Sequence, residues 1–286
     1  MADPNEEAIF GIIDQGSQYV GDDDIDDGNQ FLNLECAEEQ VNTGSGEDLI
    51  HVEFTELHPL FHRDGLDKSL LSYWCLTEMM NQKKKKVFDV GFFDPYIIHE
   101  RTVKEKPEEM ENNMFHFFDK QHHKTTILFP YNFAFHWILL VIYIDKGYVM
   151  ILDSLRKPMS NYQNMLDMLQ SAWVRFTSKH PGQWTVPLRI NPHKWCLQQP
   201  KNTNLCGYCV CEHLLHYSLK TEKSIDLQWK KDRVIRDDQI KAIQESLAGF
   251  INDQVINLEG AYHFDGRLQP KTFTQEGPNL DDPNFE

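Results

Sequence analysis

Four residues between positions 136 and 206 have side chains that can together carry out nucleophilic catalysis by a thiol. In chain order they are His136, Asp153, Gln199 and Cys206. Catalysis of this kind needs a thiolate, a base that takes the thiol proton, a group that orients the base, and donors for an oxyanion. We assign these roles to Cys206, His136, Asp153 and Gln199 respectively. The chemistry needs no metal and no organic cofactor, and we predict neither.

The elements predicted around His136 and Asp153 bring these two residues together. Residues 137–144 are continuously apolar, which is typical of a strand buried on both faces. Residues 145–147 supply a hairpin turn, and residues 148–152 form the returning strand. The start of one strand in an antiparallel hairpin lies beside the end of the next. His136 and Asp153 are therefore predicted at the same edge of the sheet, although they are 17 residues apart.

Cys206 is predicted at the N-terminus of a helix, where the dipole and the free N–H groups favour a thiolate. Gly207, directly after it, would let a substrate backbone approach closely and would leave neighbouring amides free to donate. Gln199 lies seven residues before Cys206, within reach of a developing oxyanion. We interpret Cys209 and Cys211 as small apolar residues of the helix core.

The remaining elements predict an α+β fold, with a mostly antiparallel sheet and helices packed around it. A first helix is predicted after an N-cap at Asp64, a strand at residues 184–190, and a last helix capped near Asp237. The apolar stripes of the three outer helices are formed by Leu66, Leu70, Tyr73, Leu76 and Met80, by Tyr162, Met165, Leu169, Trp173 and Phe176, and by Ile240, Ile243, Leu247 and Phe250.

The charge of the chain is concentrated at its two ends. Residues 1–47 contain thirteen acidic residues and no Lys or Arg, and residues 258–286 contain six acidic and two basic residues. Because the net charge of the whole chain is -16, residues 48–257 are left close to neutral. We therefore predict a folded domain at 48–257 between two flexible tails. A nearly neutral body argues against nucleic-acid binding by the domain.

Two further features indicate the setting in which the protein works. The longest apolar run, residues 137–144, is much shorter than the roughly 20 residues that span a bilayer. The six cysteines show no regular disulfide spacing, and the first residues are acidic rather than those of a signal peptide. We expect a monomer in a reducing compartment, without membrane contact.

The sequence around these residues resembles that of the ubiquitin-like-protease family, also called the sentrin-specific proteases. The resemblance covers roughly residues 50–256. The matching motifs are His136-Trp137, Asp153-Ser154, Gln198-Gln199-Pro200 and Cys206-Gly207. Residues 205–212 resemble most closely the domains of this family in plant transposable elements. The resemblance implies a papain-like α+β peptidase that cleaves after the Gly-Gly of a ubiquitin-like modifier. Among such modifiers, it favours a SUMO-type modifier. It also implies a nuclear or cytoplasmic location.

The resemblance assigns a substrate-binding role to Trp137, as part of the channel for Gly-Gly, and places Gln198 and Gly207 beside it. Trp137 can equally be an ordinary core aromatic. Two positions depart from the family pattern. Leu205 stands where the family usually has Asp, and the first-helix motif Trp-Leu-Asn/Asp appears as Gly65-Leu66-Asp67. The tryptophan of the second channel wall is therefore absent. The identity of the modifier stays open, and the candidates are SUMO, a Rub-type modifier and ubiquitin.

Three alternatives remain beside the peptidase. A decayed transposon domain would bind a ubiquitin-like protein without cutting it. An acyltransferase of the same clan would tend to have Glu in place of Asp153. A zinc site would use Cys196, Cys206, Cys209, Cys211 and His213, but a helix would scatter its cysteines around the axis.

The four lysines at 83–86 form either a solvated turn or a nuclear localisation signal.

Overall fold

The computed structural model describes residues 60–63, 65–181, 184–220 and 233–263 of the 286. The predicted tail at 1–47, residues 264–286 of the second tail, and the predicted N-cap Asp64 lie outside the described residues.

A sheet of five strands runs through the middle of the domain, in the order β1-β2-β3-β4-β5. The strands are β1 (Val90–Phe92), β2 (Thr126–Phe133), β3 (His136–Tyr143), β4 (Tyr148–Leu152) and β5 (Arg189–Pro192). The three inner strands pair antiparallel, whereas both outer pairings, β1 with β2 and β4 with β5, are parallel. The predicted α+β class is confirmed, and the sheet is mixed.

Helices cover both faces of the sheet. They are α1 (Lys68–Lys85), α2 (Glu100–Glu105), α3 (Pro107–Gln121), α4 (Gln163–Lys179), α5 (Cys206–Ser218) and α6 (Asp237–Phe250). One apolar core contains side chains of α1, α5 and α6, and the other contains side chains of α2, α3 and α4. Along β3, Leu139 and Val141 face the first core, while Ile138, Leu140 and Ile142 face the second. This two-sided burial explains why the strand is apolar without alternation.

Several predicted boundaries differ from the observed ones. The α1 helix begins after Asp67, and the lysines at 83–85 form its last turn, where positive charge complements the helix dipole. The strand predicted at residues 184–190 is observed only as β5. The turn between β3 and β4 contains a short 3₁₀ helix, Ile144–Lys146, and then Gly147 with a φ of 52°.

Residues 96–135, for which no element was predicted, form α2, α3 and β2. These elements complete the second core, in which Met110, Met114 and Phe118 of α3 are buried. Within the described residues, no helix combines the length and the apolar character needed to cross a membrane.

Candidate active site

The edge of the sheet where β3 begins and β4 ends brings His136 and Asp153 into contact. His136 is the first residue of β3, and Asp153 directly follows the last residue of β4. The imidazole Nε2 lies 2.7 Å from Oδ1 of Asp153, and both side chains are buried. The hairpin register predicted from the sequence is therefore the arrangement that brings the two residues together.

The carboxylate of Asp153 is held by the turn that follows it. The backbone N–H of Leu155 donates to Oδ1 at 2.8 Å, and that of Lys157 donates to Oδ2 at 2.7 Å. Burial by itself raises the pKa of Asp153, but the bonds from His136 and from these two amides outweigh it and lower the pKa below its ordinary value. Asp153 is consequently a carboxylate at neutral pH.

Cys206 reaches the same edge from the other side, as the first residue of α5. Its side chain is buried and lies close enough to His136 to influence the imidazole. Burial lowers the pKa of His136, but the bond to Asp153 and the neighbouring Cys206 raise it more, so the net shift is upward. A raised imidazole pKa makes His136 a stronger acceptor for a proton, which is what a general base beside a nucleophile requires.

Gln199 lies in the loop before α5, with its amide held at both ends. Its Oε1 accepts from the Ser154 hydroxyl at 2.9 Å, and its Nε2 donates to the Thr203 carbonyl. A primary amide nitrogen carries two N–H groups, so one donor remains beyond the bond to Thr203. That carbonyl belongs to the segment that leads into Cys206. The oxyanion role assigned to Gln199 stays a prediction.

Gln198 connects this loop to a distant segment. Its backbone N–H donates to the Arg233 carbonyl, and its own carbonyl accepts from Ile235 at 3.0 Å. With its amide oxygen turned toward the guanidinium, its side chain accepts from Arg156 at 3.3 Å. These contacts anchor the loop, and the predicted substrate-binding role of Gln198 stays a prediction.

Trp137 and Gly207 both pack against Leu66, at the start of the first helix. The Trp137 indole N–H donates to the Leu66 carbonyl at 2.8 Å, and only 3% of the residue is exposed. A Cβ added to Gly207 would lie 2.9 Å from Cβ of Leu66, so the close packing of α5 requires a glycine there. The substrate contacts predicted for both residues stay predictions.

Gly65 shows why the family's tryptophan has no direct counterpart. Its φ is 143°, a backbone conformation that L side chains rarely adopt. A tryptophan at this position would therefore strain the backbone. Gly65 lies beside Asn204, which precedes Leu205 and Cys206.

The other cysteines of the region are buried thiols. Burial raises the pKa of Cys209 and Cys211 well above the ordinary value, which fits the predicted core role. Cys196 donates to the carbonyl of Asp153 at 3.1 Å. Among the described residues, no group of His, Cys, Asp and Glu side chains has an arrangement that could hold a metal ion, so the zinc alternative finds no support there.

Two features of the site were not predicted from the sequence. The first is the hydroxyl of Ser154, whose only signal was its position directly after Asp153. The second is the two-residue turn before His136, in which Ala134 and Phe135 have φ values of 44° and 58°. Such turns favour Asn and Gly, and Phe135 is 99% exposed. The Ala134 N–H donates to the Glu100 carboxylate at 2.7 Å, which holds the turn in place.

Comparisons with known proteins give a family and a fold. The family described as "Ulp1 protease family, C-terminal catalytic domain" matches residues 67–256. A comparison with curated proteins found no match. Among solved structures, the C-terminal Ulp1 protease domain in complex with SMT3, the yeast ortholog of SUMO, is 18% identical, with a TM-score of 0.53. The alignment covers 79% of this chain and 97% of that one.

A second solved structure is the SUMO protease Ulp1 with its catalytic cysteine oxidized to a sulfenic acid. It is 16% identical with a TM-score of 0.53, and the alignment covers 76% of this chain and 90% of that one. Together with the family match, these likenesses confirm the predicted fold class.

Proposed function

The chain belongs to the Ulp1 protease family, and from this membership we propose that it is a cysteine peptidase that cleaves after the Gly-Gly terminus of a ubiquitin-like modifier. The observation that carries the proposal is the 2.7 Å contact of His136 with Asp153, at the sheet edge that Cys206 reaches as the first residue of α5. The three residues lie at the start of β3, directly after β4 and at the start of α5, so their convergence is a property of the whole fold.

The reaction begins with transfer of the Cys206 thiol proton to His136. Because Nε2 of the imidazole is bonded to Asp153, Nδ1 is the nitrogen left for the thiol. The thiolate attacks the carbonyl carbon of the last glycine, and the carbonyl π electrons move to oxygen. Gln199 and backbone N–H groups at the start of α5 donate to that oxyanion.

Collapse of the tetrahedral intermediate breaks the carbon–nitrogen bond, and His136 returns its proton to the leaving amine. A thioester between the modifier and Cys206 remains. His136 then takes a proton from water, whose oxygen attacks the thioester carbonyl. The products are the free carboxylate of the modifier and the regenerated thiol. Asp153 keeps the imidazole oriented and stabilises its charged form in both halves of the reaction.

Family membership supports a ubiquitin-like modifier as the substrate class, and we place a SUMO-type modifier first. The solved Ulp1 domain of the same fold is held in complex with a SUMO ortholog. Gly65 in place of the family's tryptophan is the reason to test a Rub-type modifier and ubiquitin beside it. The resemblance to plant transposon domains, the nuclear or cytoplasmic location and the monomeric state stay predictions.

The test exposes the full chain to SUMO, a Rub-type modifier and ubiquitin, each with a C-terminal thiol-reactive group. We expect a covalent adduct with one modifier, detected by mass, that disappears in Cys206→Ala and in His136→Ala. Cys211→Ala is the matched control, because this buried thiol lies in the same helix and contacts none of the proposed catalytic side chains.

Two results would contradict the proposal. Retention of the adduct in Cys206→Ala would show that another group is the nucleophile. Binding of a modifier by the folded wild-type chain without any adduct would instead favour the decayed domain that binds and does not cut.

A further inference from the structure

Ser154 is a buried hydroxyl at the active edge of the sheet to which the proposed reaction gives no part. It follows Asp153 directly, and its side chain contacts the loop before α5. Its Oγ donates to Oε1 of Gln199 at 2.9 Å, and only 6% of the residue is exposed. This bond joins a residue at the end of β4 to one 45 positions later.

The orientation of the Gln199 amide matters because its two ends have nearly the same shape and opposite polarity. If the amide were reversed, its oxygen rather than its nitrogen would face a developing oxyanion and would repel it. The carbonyl of Thr203 accepts from the nitrogen end, and the hydroxyl of Ser154 donates to the oxygen end. These two bonds fix the orientation and leave the second N–H as the free donor.

A serine hydroxyl can donate or accept, so its direction follows from its partner. The nitrogen end of the Gln199 amide is bonded to the Thr203 carbonyl, so the oxygen end faces Ser154. Because an amide oxygen only accepts, the Ser154 hydroxyl donates its proton to Gln199.

We propose that Ser154 is a positioning residue, whose hydroxyl holds the Gln199 amide with its nitrogen toward the oxyanion. The contacts form one chain of donors, from Ser154 to Gln199 and from Gln199 to Thr203. The proposal rests on the proposed function, because it gives Ser154 a part in the same reaction. It differs from a purely structural role because it acts only through Gln199.

The kinetic test is a double-mutant cycle, measured as cleavage of a fluorogenic amide of the modifier that forms the adduct. Gln199→Ala removes one oxyanion donor, and we expect kcat to fall by about 10²-fold. Ser154→Ala keeps the Gln199 amide but removes the hydroxyl that fixes its orientation. We therefore expect kcat to fall roughly 10-fold, with little change in KM. In the Gln199→Ala background, Ser154→Ala should cause no further loss.

Ser72→Ala is the matched control. Ser72 is also a buried serine that donates to a side-chain oxygen, Oδ1 of Asp94 at 2.7 Å, but it contacts none of the proposed catalytic residues. It should lower stability without lowering kcat. Equal losses from Ser154→Ala in the two backgrounds, or an unchanged kcat in Ser154→Ala alone, would overturn the proposal.

A second measurement does not depend on turnover. The side-chain amide protons of Gln199, identified by their absence from the NMR spectrum of Gln199→Ala, should be sharp and slow to exchange in the wild type. In Ser154→Ala they should broaden or exchange faster, while those of other buried glutamines, such as Gln82, stay unchanged. Unchanged Gln199 signals would overturn the proposal even in an active enzyme. The expected signals in an inactive wild type would instead contradict the proposed function.

Discussion

Two buried aspartates at the ends of strands, Asp153 after β4 and Asp94 after β1, differ sharply in their ionisation. Each is 6% exposed, and each closes a turn by accepting a backbone N–H two residues further along the chain. Nevertheless the pKa of Asp153 is lowered, whereas that of Asp94 is raised to about 6. Burial is the largest single cause at both sites, and at both it raises the pKa.

The difference lies in the donors around the two carboxyl groups. Asp153 accepts from two backbone amides and from His136, which gains a positive charge when it takes a proton. Asp94 accepts only from the Ser72 hydroxyl and the Tyr96 N–H, and its Oδ2 has no partner within the described part of the chain. A carboxyl group at a strand end therefore works as a carboxylate only where the following turn and a neighbouring cation supply enough donors.

The largest effect is expected from Asp153→Asn. In one orientation the new amide sets an N–H group against His136 and Leu155, and in the other against Lys157, so no orientation satisfies all three donors. We expect kcat to fall by about 10³- to 10⁴-fold, as in other triads whose aspartate is replaced by asparagine. The pKa of His136, followed by NMR, should fall because its main raising contact is lost. An activity within tenfold of wild type would contradict this assignment.

Asp94→Asn, in contrast to Asp153→Asn, should leave kcat unchanged and should alter the pH dependence of stability. The folded-state pKa of about 6 lies above the unfolded value of about 3.9, so between these values the folded state binds more protons than the unfolded state. The free energy of unfolding of the wild type should therefore fall as pH rises from 4 to 6, by roughly 2 kcal/mol through this group.

Asparagine imitates the protonated acid, so Asp94→Asn should remove most of this slope. The variant should be more stable than the wild type at pH 7.5 and close to it at pH 4. Urea unfolding at several pH values measures the difference. Parallel stability curves for the variant and the wild type would show that Asp94 titrates normally in the folded protein.

The smallest effect is expected from Ser72→Ala, which removes one of the two donors to Asp94. The loss of a buried hydrogen bond should lower the free energy of unfolding by about 1–2 kcal/mol at pH 7.5. The pKa of Asp94 should rise further, because the Ser72 bond is the main contact that lowers it. The fall in stability should then continue to a higher pH than in the wild type. If Ser72→Ala lowered the free energy of unfolding equally at pH 4 and pH 7.5, the Ser72 bond would have no influence on the titration of Asp94.

The hairpin and the helix start were predictable because they depend on local patterns. The apolar run of β3 and the turn after it fix where His136 and Asp153 meet, and the motif at Cys206 indicates the helix N-terminus. The contact of Ser154 with Gln199 was not predictable, because both residues lie in irregular segments without periodicity. The same holds for the packing of Gly207 on Leu66, which depends on how two distant helices approach.

The parallel outer pairings were missed for a different reason. In the short strand β1, all three residues are buried, so no alternation marks a face. In β5, every residue is at least partly exposed, including Arg189 and Asn191, so the apolar signal is weak. Both strands are joined to their neighbours through long connections, and such connections leave no mark on the local sequence.

The short outer strands also bear on how the protein behaves at high concentration. A free sheet edge is a template on which another chain can add a strand, and long apolar edges lead to aggregation. Here β1 has three residues, and β5 has four and ends at Pro192, which cannot donate a backbone hydrogen bond. The long apolar strands β2 and β3 both lie inside the sheet, so the segments most prone to self-association are already paired within the fold.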